Sequence, residues 1–373
     1  MGDGVAGEPL VLHIIPSTAP RGAQREARAL ADRLDAPGKR RHRVLALVGG
    51  DGGPDDAVVV DFTTGVRSGT ASSVGFDPRV LIALRKALRR LSPAVVVAHG
   101  GEPLKFLVPA MVGRRRPMAY YAIGTLASQG HRPGRKLFWR YLVRQPEVVT
   151  TEGEEVLEEC RSVLGVPAER LVLVPNGRDA EEFHPVADAA AEARDVPVVL
   201  FLGALTEQKR PDRFVEVVAA LRAKGLEFRA LAVGDGPLRA SLAPAAAAAG
   251  VELLGARGDV ADVLRGTDIM VFPSLPRGEG MPGVLIEAGL SAVPVVATAV
   301  PGVDAIVADG ETGCVVGVDD FEALVDSVAG LLADPGRRRA MGEAARRRCS
   351  ELFSLEVVAS SWLAALTPLL PAS

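Results

Sequence analysis

Short apolar strands alternate with helical patterns along this chain, and the alternation occurs in two separate halves. In the first half the predicted strands span 10–15, 42–49 and 94–99, with helical patterns at 22–34 and 80–91. The second half restarts with a strand at 196–203, a helix from Pro211 and a strand at 229–234. Continuous apolar strands joined by helices are typical of parallel sheets that are covered on both faces. The sequence therefore predicts an α/β chain with two doubly wound parallel-sheet domains.

Length and composition support two domains and argue against several functions. At 373 residues the chain exceeds what one core usually holds. We place the boundary at 185/186, inside a charged and alanine-rich stretch (179–195) that lacks strand patterns. The formal net charge of −3 gives no reason to expect nucleic acid as a partner. No stretch reaches the roughly 18 uninterrupted apolar residues of a membrane-spanning helix.

The cysteines and the amino terminus bear on the cellular compartment. Cys160, Cys314 and Cys349 are widely spaced and lack the spacing of metal ligands. Reduced thiols of this kind are typical of proteins in a reducing compartment. The first nine residues lack the charged and apolar regions of a signal peptide. We therefore expect a cytoplasmic protein.

One segment, 269–300, combines groups that suit phosphate binding. A buried strand (269–272) is followed by a polar loop that carries Glu279, and then by a helix. The helix is expected to begin at Pro282, because the missing N–H of proline would be unpaired at a first helical position anyway. Backbone N–H groups and the dipole at a helix start bind phosphate. We assign such a site to Gly280, Met281, Pro282 and Gly283.

Two carboxylates accompany this phosphate site. Glu287 lies about a turn and a half into the predicted helix, where a carboxylate can accept hydrogen bonds from the paired hydroxyls of a ribose. Its alternative interpretation is an ordinary glutamate on the surface of a helix. Glu279 has two interpretations: it binds hydroxyls of a sugar, or it caps the helix. Phosphate-binding and pentose-binding groups in one segment indicate a nucleotide-sugar site.

Several motifs of the second half resemble those of a known enzyme family. Glu279 and Glu287 are separated by seven residues and are followed by AVPVVA (292–297), close to a Gly-X-Pro-Val-Val-Ala strand. This pattern resembles the donor motif of retaining GT-B glycosyltransferases of family 4. Four further segments fall in the family's order, at 201–216, 231–239, 251–274 and 301–316. The resemblance is close over the C-terminal half and loose over the N-terminal half.

The resemblance implies a GT-B fold, in which two Rossmann-like domains face a central cleft. The N-terminal domain (1–185) would bind the acceptor, and the C-terminal domain (186–355) would bind the nucleotide-sugar donor. The final segment (356–373), which contains Trp362, would pack back on the N-terminal domain.

The same resemblance implies roles for single residues on the donor side. Lys209 follows the strand end at Gly203 and is expected to neutralise the donor diphosphate. Its alternative interpretation is a solvated lysine before a helix. Many relatives carry arginine directly after that glycine, whereas this chain has Ala204, so half of the usual cationic pair is absent. Ala256 and Arg257 lie where the family's base-binding backbone is found. We assign the catalytic roles to Lys209 and Glu279.

The acceptor side is less clearly marked. Gly22 matches the position of the family's glycine-rich loop, and its alternative interpretation is an ordinary turn. Many relatives have a histidine and a glycine after the strand near 122, where this chain has Ile123 and Gly124. His99 and His131 are candidates for the missing histidine, although a lone histidine is commonly a surface or packing residue.

A cationic run with interleaved aromatic residues follows this point. Arg132, Lys136, Arg140 and Arg144 align at i, i+4 spacing on a predicted helix and would repel one another without a nearby anion. Three interpretations stay open: a solvated face, the site of an anionic acceptor, or a weak peripheral membrane contact.

The functional hypothesis is retaining transfer of a hexose from a nucleotide diphosphate sugar to a hydroxyl. UDP is the expected nucleotide, and the acceptor is a small molecule or a glycolipid. In the family's front-face chemistry the acceptor oxygen approaches from the side that the diphosphate leaves, so the protein contributes positioning and charge stabilisation. We expect no cofactor and no metal, because no Asp-X-Asp motif is convincing, and a monomer or homodimer. The alternatives are a nucleotide-sugar epimerase and a non-transferring sugar-nucleotide binder on the same fold.

Overall fold

The chain forms two compact units. The computed structural model describes residues 8–19, 22–36, 38–49, 58–66, 76–113, 116–124, 133–186, 196–277 and 279–371. One unit comprises Met1–Gly177 and Leu355–Ser373, and the other comprises Arg178–Ser354. The division therefore lies before the position expected at 185/186. The reason is that Phe183 packs in the core of the second unit, which draws the preceding residues into that unit.

A parallel sheet forms the centre of the first unit. Within the described residues it has seven strands in the order β3-β2-β1-β4-β5-β6-β7. The strands are β1 (Leu10–Ser17), β2 (Arg41–Val48), β3 (Phe62–Thr63), β4 (Val95–His99), β5 (Met118–Ala122), β6 (Val148–Thr151) and β7 (Leu171–Leu173). The order reverses between β1 and β4, as in a doubly wound sheet.

Helices cover both faces of this sheet. They are α1 (Gly22–Leu34), α2 (Pro78–Leu91), α3 (Gly101–Ala110), α4 (Pro133–Val143) and α5 (Glu154–Glu158), which continues into a π-helical turn (Glu159–Val163). The C-terminal helix (Leu355–Leu366) belongs to this unit and buries Trp362 completely. Its side chains share an apolar cluster with residues of β1, β4 and β5.

Strand β1 extends further than the sequence analysis predicted. It continues through Pro16 to Ser17 rather than ending at the proline. The ladder to β2 still pairs Ser17 with Val48, and the ladder to β4 ends earlier, at Ile14 and Ala98. Pro16 lies beyond the last residue that pairs with β4, and it lies between Ile15 and Ser17, which pair with β2. Its missing N–H therefore removes no sheet hydrogen bond.

The second unit repeats the architecture with a parallel sheet of its own. In the described part of the chain this sheet has six strands, in the order β10-β9-β8-β11-β12-β13. They are β8 (Val198–Leu202), β9 (Arg229–Val233), β10 (Val251–Gly255), β11 (Ile269–Phe272), β12 (Val295–Thr298) and β13 (Gly313–Val316). The order reverses between β8 and β11, which are direct neighbours.

The helices of the second unit follow the strands in alternation. They are α6 (Pro211–Ala223), α7 (Arg239–Ala249), α8 (Val260–Arg265), α9 (Gly283–Leu290), α10 (Val303–Ile306), α11 (Phe321–Ala333) and α12 (Pro335–Phe353). None of the helices in the described ranges combines the length and apolar character of a membrane-spanning segment.

The reversal between β8 and β11 determines where to look for a site. In open α/β sheets, ligands bind beyond the carboxyl ends of the strands at the point where the strand order reverses. The loop after β8 carries Lys209, and the loop after β11 carries Glu279. The fold therefore brings these two sequence-predicted residues to one place.

Candidate functional site

A backbone hydrogen bond joins the loops after β8 and β11, and a side-chain hydrogen bond ties the second loop to β12. The N–H of Leu275, just beyond β11, donates to the carbonyl of Gln208 at 2.8 Å. The hydroxyl of Thr298, at the end of β12, donates to the carbonyl of Ser274 at 2.6 Å. These bonds fix both loops at the carboxyl edge of the sheet, so the side chains that they carry have defined positions.

Lys209 and Glu279 form an ion pair across this edge. The ammonium Nζ of Lys209 lies 2.5 Å from Oε1 of Glu279. The Lys209 side chain is 22% exposed and that of Glu279 only 5%. The ammonium also lies 5.0 Å from the centre of the Phe272 ring. A charge-assisted hydrogen bond with so little exposure is strong, and the partly exposed cation can still be reached by an anionic ligand.

Two glycines in the neighbouring loop are required by chain geometry. Gly234 has φ +138, and a Cβ built on it would lie 1.9 Å from the carbonyl oxygen of Gly203. A Cβ on Gly236 would lie 2.5 Å from the carbonyl oxygen of Leu205. The loop after β9 thus packs backbone to backbone against the Gly203 loop, which supports the segment that carries Lys209.

Helix α9 begins one residue later than the sequence predicted. Gly283 is its first residue, and Pro282 is the N-cap, with extended backbone angles of φ −73 and ψ 100. The proline therefore ends the extended approach to the helix and does not occupy its first turn. The helix is buried along Leu285, Ile286 and Leu290, so its amino end is held rigidly.

A second loop packs against the approach to α9. Gly302 has φ +76, and a Cβ built on it would lie 2.2 Å from the carbonyl oxygen of Gly280 and 2.9 Å from Cα of Met281. Only glycine allows these two backbones to come so close. The predicted phosphate-binding residues therefore lie on a supported turn next to the Lys209–Glu279 pair.

Glu287 has a cationic partner that the sequence analysis missed. Nε of Arg178 donates to Oε1 of Glu287 at 2.7 Å, and each side chain is 14% exposed. Arg178 is the first residue of the second unit, far from Glu287 in the chain. The two carboxylates predicted to bind the donor thus each form an ion pair, one with Lys209 and one with Arg178.

The predicted base-binding residues lie at the end of β10. Ala256 and Arg257 are exposed, and Nε of Arg257 donates to Oδ1 of Asp259 at 2.8 Å. The carbonyl of Gly255 accepts from the N–H of Gly234 at 2.8 Å, which joins this strand end to the loop after β9. All the predicted donor residues therefore lie along the carboxyl edge of the second sheet.

His99 occupies the core of the first unit. Its ring is 3% exposed and stacks on Trp362 with 5.8 Å between centroids. Its Nε2 lies 2.8 Å from Nδ1 of His13, and Nε2 of His13 lies 2.9 Å from Nδ1 of His42. Each contact needs one N–H and one bare nitrogen, which neutral rings supply. The ring is therefore a packing group, the alternative left open above, rather than a group that faces an acceptor.

Burial controls the protonation of this histidine chain. It lowers the pKa of His42 to about 4 and that of His99 to about 3. The pKa of His13 is well below its usual 6.5, first because of burial and then because of the neighbouring rings. Transfer of a charge into a buried site is costly, so the three rings are neutral at neutral pH.

Gly124 and Gly22 are the other predicted acceptor-side residues that the structure describes. Gly124 has φ +66, and its N–H donates to Oε1 of Glu152 at 2.7 Å. Asn176 links this carboxylate to the core, because it donates to Glu152 and accepts from the hydroxyl of Tyr121. Gly22 is the first residue of α1 and is exposed.

The remaining histidine candidate, His131, lies outside the described residues. The described residues also contain no group of three or more His, Cys, Asp or Glu side chains that could hold a metal ion.

The cationic run lies mostly on α4 and the residue after it; Arg132 is outside the described residues. Leu137 and Tyr141 on this helix are 70% and 58% exposed. Together with Arg140, Arg144 and Arg170 they line a cavity of about 550 Å³.

The position of this cavity separates it from the expected acceptor site. Arg170 donates to the carbonyls of Arg144 and Pro146, just before β6 begins. The cavity therefore lies at the amino-terminal edge of the sheet, opposite the edge at which an acceptor is expected.

Two family models and several curated proteins match this chain. A family model described as "Glycosyl transferases group 1" matches residues 196–334, and one described as "Glycosyltransferase Family 4" matches residues 20–182. A GDP-mannose-dependent alpha-(1-6)-phosphatidylinositol monomannoside mannosyltransferase of Mycolicibacterium smegmatis is 30% identical over 295 residues, which is 72% of this chain and 75% of that protein. A D-inositol 3-phosphate glycosyltransferase of Kribbella flavida is 31% identical over 256 residues, 62% of this chain and 59% of that protein.

Solved structures confirm the expected GT-B fold. Anabaena Alr3699/HepE, crystallised with UDP and glucose, aligns with a TM-score of 0.79 at 17% identity. The alignment covers 97% of this chain and 100% of the Anabaena chain. A sucrose-phosphate synthase of Thermosynechococcus elongatus aligns with a TM-score of 0.77 at 21% identity, covering 97% and 99%. The two Rossmann-like parallel sheets are therefore those of this fold.

Proposed function

Because the chain belongs to the family 4, group 1 glycosyltransferases, we propose that it transfers a hexose from a nucleotide diphosphate sugar to a hydroxyl group with retention of configuration. The observation that carries this proposal is the pairing of both donor-motif carboxylates with cations, Lys209 with Glu279 and Arg178 with Glu287. The two pairs flank the amino end of α9, which suits a diphosphate.

The chemistry follows from the charges at this edge of the sheet. The diphosphate binds at the start of α9, and Lys209 neutralises the negative charge that grows on the leaving group. Glu279 accepts hydrogen bonds from hydroxyls of the transferred hexose, and Glu287 accepts them from the pentose. Neither carboxylate serves as a nucleophile. The acceptor oxygen attacks from the face that the diphosphate leaves, and a phosphate oxygen takes its proton. This chemistry uses no metal in our proposal.

Two nucleotides are candidates for the donor. UDP is the nucleotide expected from the sequence, and Anabaena Alr3699/HepE was crystallised with it. GDP is favoured by the name of the mycobacterial relative, which is GDP-mannose-dependent. The exposed Arg257 and Ala256 at the end of β10 would lie beside either base. The acceptor that we propose is a small molecule or a glycolipid, in keeping with the names of the two relatives.

We also propose that α4 contacts an anionic membrane surface. The support is the combination of exposed Leu137 and Tyr141 with Lys136, Arg140 and Arg144. Apolar side chains beside cationic ones match a surface whose lipids are apolar below and negatively charged above.

A panel of UDP-, GDP-, dTDP- and ADP-hexoses tests the proposed function. Ligands that bind the folded state raise the melting temperature, so the donor nucleotide is expected to stabilise the protein more than the other three. The stabilising donor is then incubated with candidate acceptors, and the anomeric configuration of the product is read by NMR. A donor that is converted without any acceptor would favour the epimerase. A donor that binds without any product would favour the non-transferring binder.

A further inference from the structure

We propose that Arg178 is a positioning residue of the donor site: it holds Glu287 in the orientation that binds the donor pentose, and Gly283 provides the space for it. This inference rests on the proposed function and adds to it one residue, Arg178, that the family resemblance does not supply, and a second role for Gly283.

The backbone of Arg178 is fixed at the start of the second unit. Its N–H donates to the carbonyl of Phe353 at 3.0 Å, and it forms a parallel bridge with Ser354. Phe353 is buried in the same apolar cluster as α9. The stem of the arginine is therefore anchored to the body that carries Glu287, and the side chain needs no rearrangement of the loop to reach it.

The side chain restrains one oxygen of Glu287. The Nε–Oε1 distance is 2.7 Å, and both side chains are 14% exposed. A carboxylate with so little contact with water depends on its cationic partner, and removal of that partner leaves a poorly solvated charge. Because Arg178 donates to Oε1, the pentose hydroxyls are left to donate to Oε2 and to the remaining lone pair of Oε1.

The guanidinium also fills the space above the start of α9. A Cβ built on Gly283 would lie 1.9 Å from Nη2 of Arg178 and 2.7 Å from its Cζ. Any side chain at position 283 would therefore displace the guanidinium. Arg178 and Gly283 form a matched pair, and a substitution of either one is expected to release Glu287.

The test is a set of double-mutant cycles read by calorimetric titration with nucleoside diphosphates. Arg178→Gln is expected to weaken binding of the preferred diphosphate by about tenfold, the usual size for one hydrogen bond to a charged group. In a Glu287→Gln background the same change is expected to have no further effect. Gly283→Ala is expected to match Arg178→Gln and to add nothing to it.

Two further ligands separate positioning from direct contact with phosphate. If Arg178 acts through Glu287, the free nucleoside loses affinity by the same factor as the diphosphate, and inorganic pyrophosphate is unaffected. A loss confined to the diphosphate and pyrophosphate would overturn the proposal, as would full affinity in Arg178→Gln. In steady-state assays the donor KM rises while kcat and the acceptor KM stay near their wild-type values, which a general loss of structure would not produce.

A control variant, a substitute variant and the wild-type protein complete the test. Arg229→Gln breaks an exposed ion pair with Glu252 in the same unit and is expected to bind nucleotides like the wild type. If Arg178→Gln does not fold, Gly283→Ala in the wild-type background provides the same readout, and unchanged nucleoside affinity there would overturn the proposal. A wild-type protein that binds no nucleoside diphosphate would instead refute the proposed function itself.

Discussion

Lys209 and Glu279 lie 2.5 Å apart at the point where the strand order of the second sheet reverses, although 70 positions separate them in the chain. In the proposed mechanism an incoming diphosphate competes with Glu279 for the ammonium group, and Glu279 then turns its oxygens to sugar hydroxyls. The ion pair would thus keep the buried carboxylate next to a cation until the donor arrives.

Lys209→Ala is expected to reduce transfer by about 100-fold or more, the usual cost of losing one group that stabilises leaving-group charge. The loss arises because the diphosphate then leaves without its nearest cation. Initial rates at saturating donor and acceptor measure this effect. Lys224→Ala removes an exposed ion pair with Asp326 in the same unit and serves as the control. Equal rates in the Lys209 variant and the wild type would remove this lysine from the mechanism.

Chelation is expected to leave transfer unchanged. In the proposed mechanism Lys209 and the start of α9 supply the positive charge that a divalent cation supplies in metal-dependent enzymes. The measurement is the initial rate after exhaustive dialysis against EDTA, compared with the rate after Mg²⁺ or Mn²⁺ is added back. A rate that falls on dialysis and returns with either ion would contradict metal independence.

Ala292→Gly is expected to stabilise the protein by about 0.5–1 kcal/mol. Ala292 follows the end of α9 in the left-handed region, with φ 57, where glycine is the usual residue. The left-handed conformation costs a non-glycine residue about 1–2 kcal/mol. Glycine loses more conformational entropy on folding, which offsets part of the gain from removing this cost. Urea unfolding at constant pH measures the change in the free energy of unfolding.

The control substitution is expected to lower the free energy of unfolding. Ala247 is exposed on α7, and Ala247→Gly is expected to cost about 1 kcal/mol, because glycine is a poor helix former. If both substitutions destabilise the protein, backbone strain at Ala292 does not limit its stability.

The free energy of unfolding is expected to fall as the pH drops below 6.5. The histidines of the buried chain have folded-state pKa values of about 4 for His42 and about 3 for His99, against 6.5 when unfolded. The unfolded state therefore binds more protons between these limits, so the stabilisation is complete above pH 6.5 and is lost as the pH falls toward the folded values. The loss at pH 5 is about 2 kcal/mol for each of these rings.

Urea titrations at several pH values from 7.5 to 5 measure this dependence. His42→Gln removes one of the titrating rings and is expected to have a shallower pH dependence than the wild type, whatever its stability at neutral pH. A wild-type unfolding free energy that stays constant from pH 7.5 to 5 would show that these rings are not held neutral.

Binding to vesicles is expected to require anionic lipid and the exposed apolar side chains of α4. The double substitution Leu137→Glu and Tyr141→Glu is expected to abolish cosedimentation with vesicles that contain phosphatidylglycerol, because it adds repulsion and removes the apolar contact. Ile82→Glu alters an equally exposed apolar residue on α2 and is the control. Equal sedimentation with neutral and anionic vesicles, or of the wild type and the double variant, would contradict the proposed contact.

The sequence predicted those features that local patterns determine. Helix α1 has the predicted bounds, 22–34, because it has a clear helical period and an abrupt end. Lys209 and Glu279 could be chosen because each follows a predicted strand and lies in a segment that resembles the donor motifs of the family. The extension of β1 through Pro16 could not be predicted, because it depends on which strands pair there.

The site features that the sequence did not predict are contacts between distant segments. Arg178 and Glu287 are separated by 109 positions, and nothing local to Arg178 marks it as a site residue. The contact of His99 with His13 likewise depends on the pairing of β1 with β4, so the sequence could not distinguish a packing histidine from one at the acceptor site. The glycine at 302 gives a weak signal, but its reason is visible only where its backbone meets Gly280.

The decisive measurement for the donor site is a crystal structure with UDP or GDP bound. The diphosphate is expected to contact Lys209 and the backbone at the start of α9, and the pentose hydroxyls are expected to donate to Glu287. A nucleotide bound at another place, or one whose pentose lies away from Glu287, would contradict it.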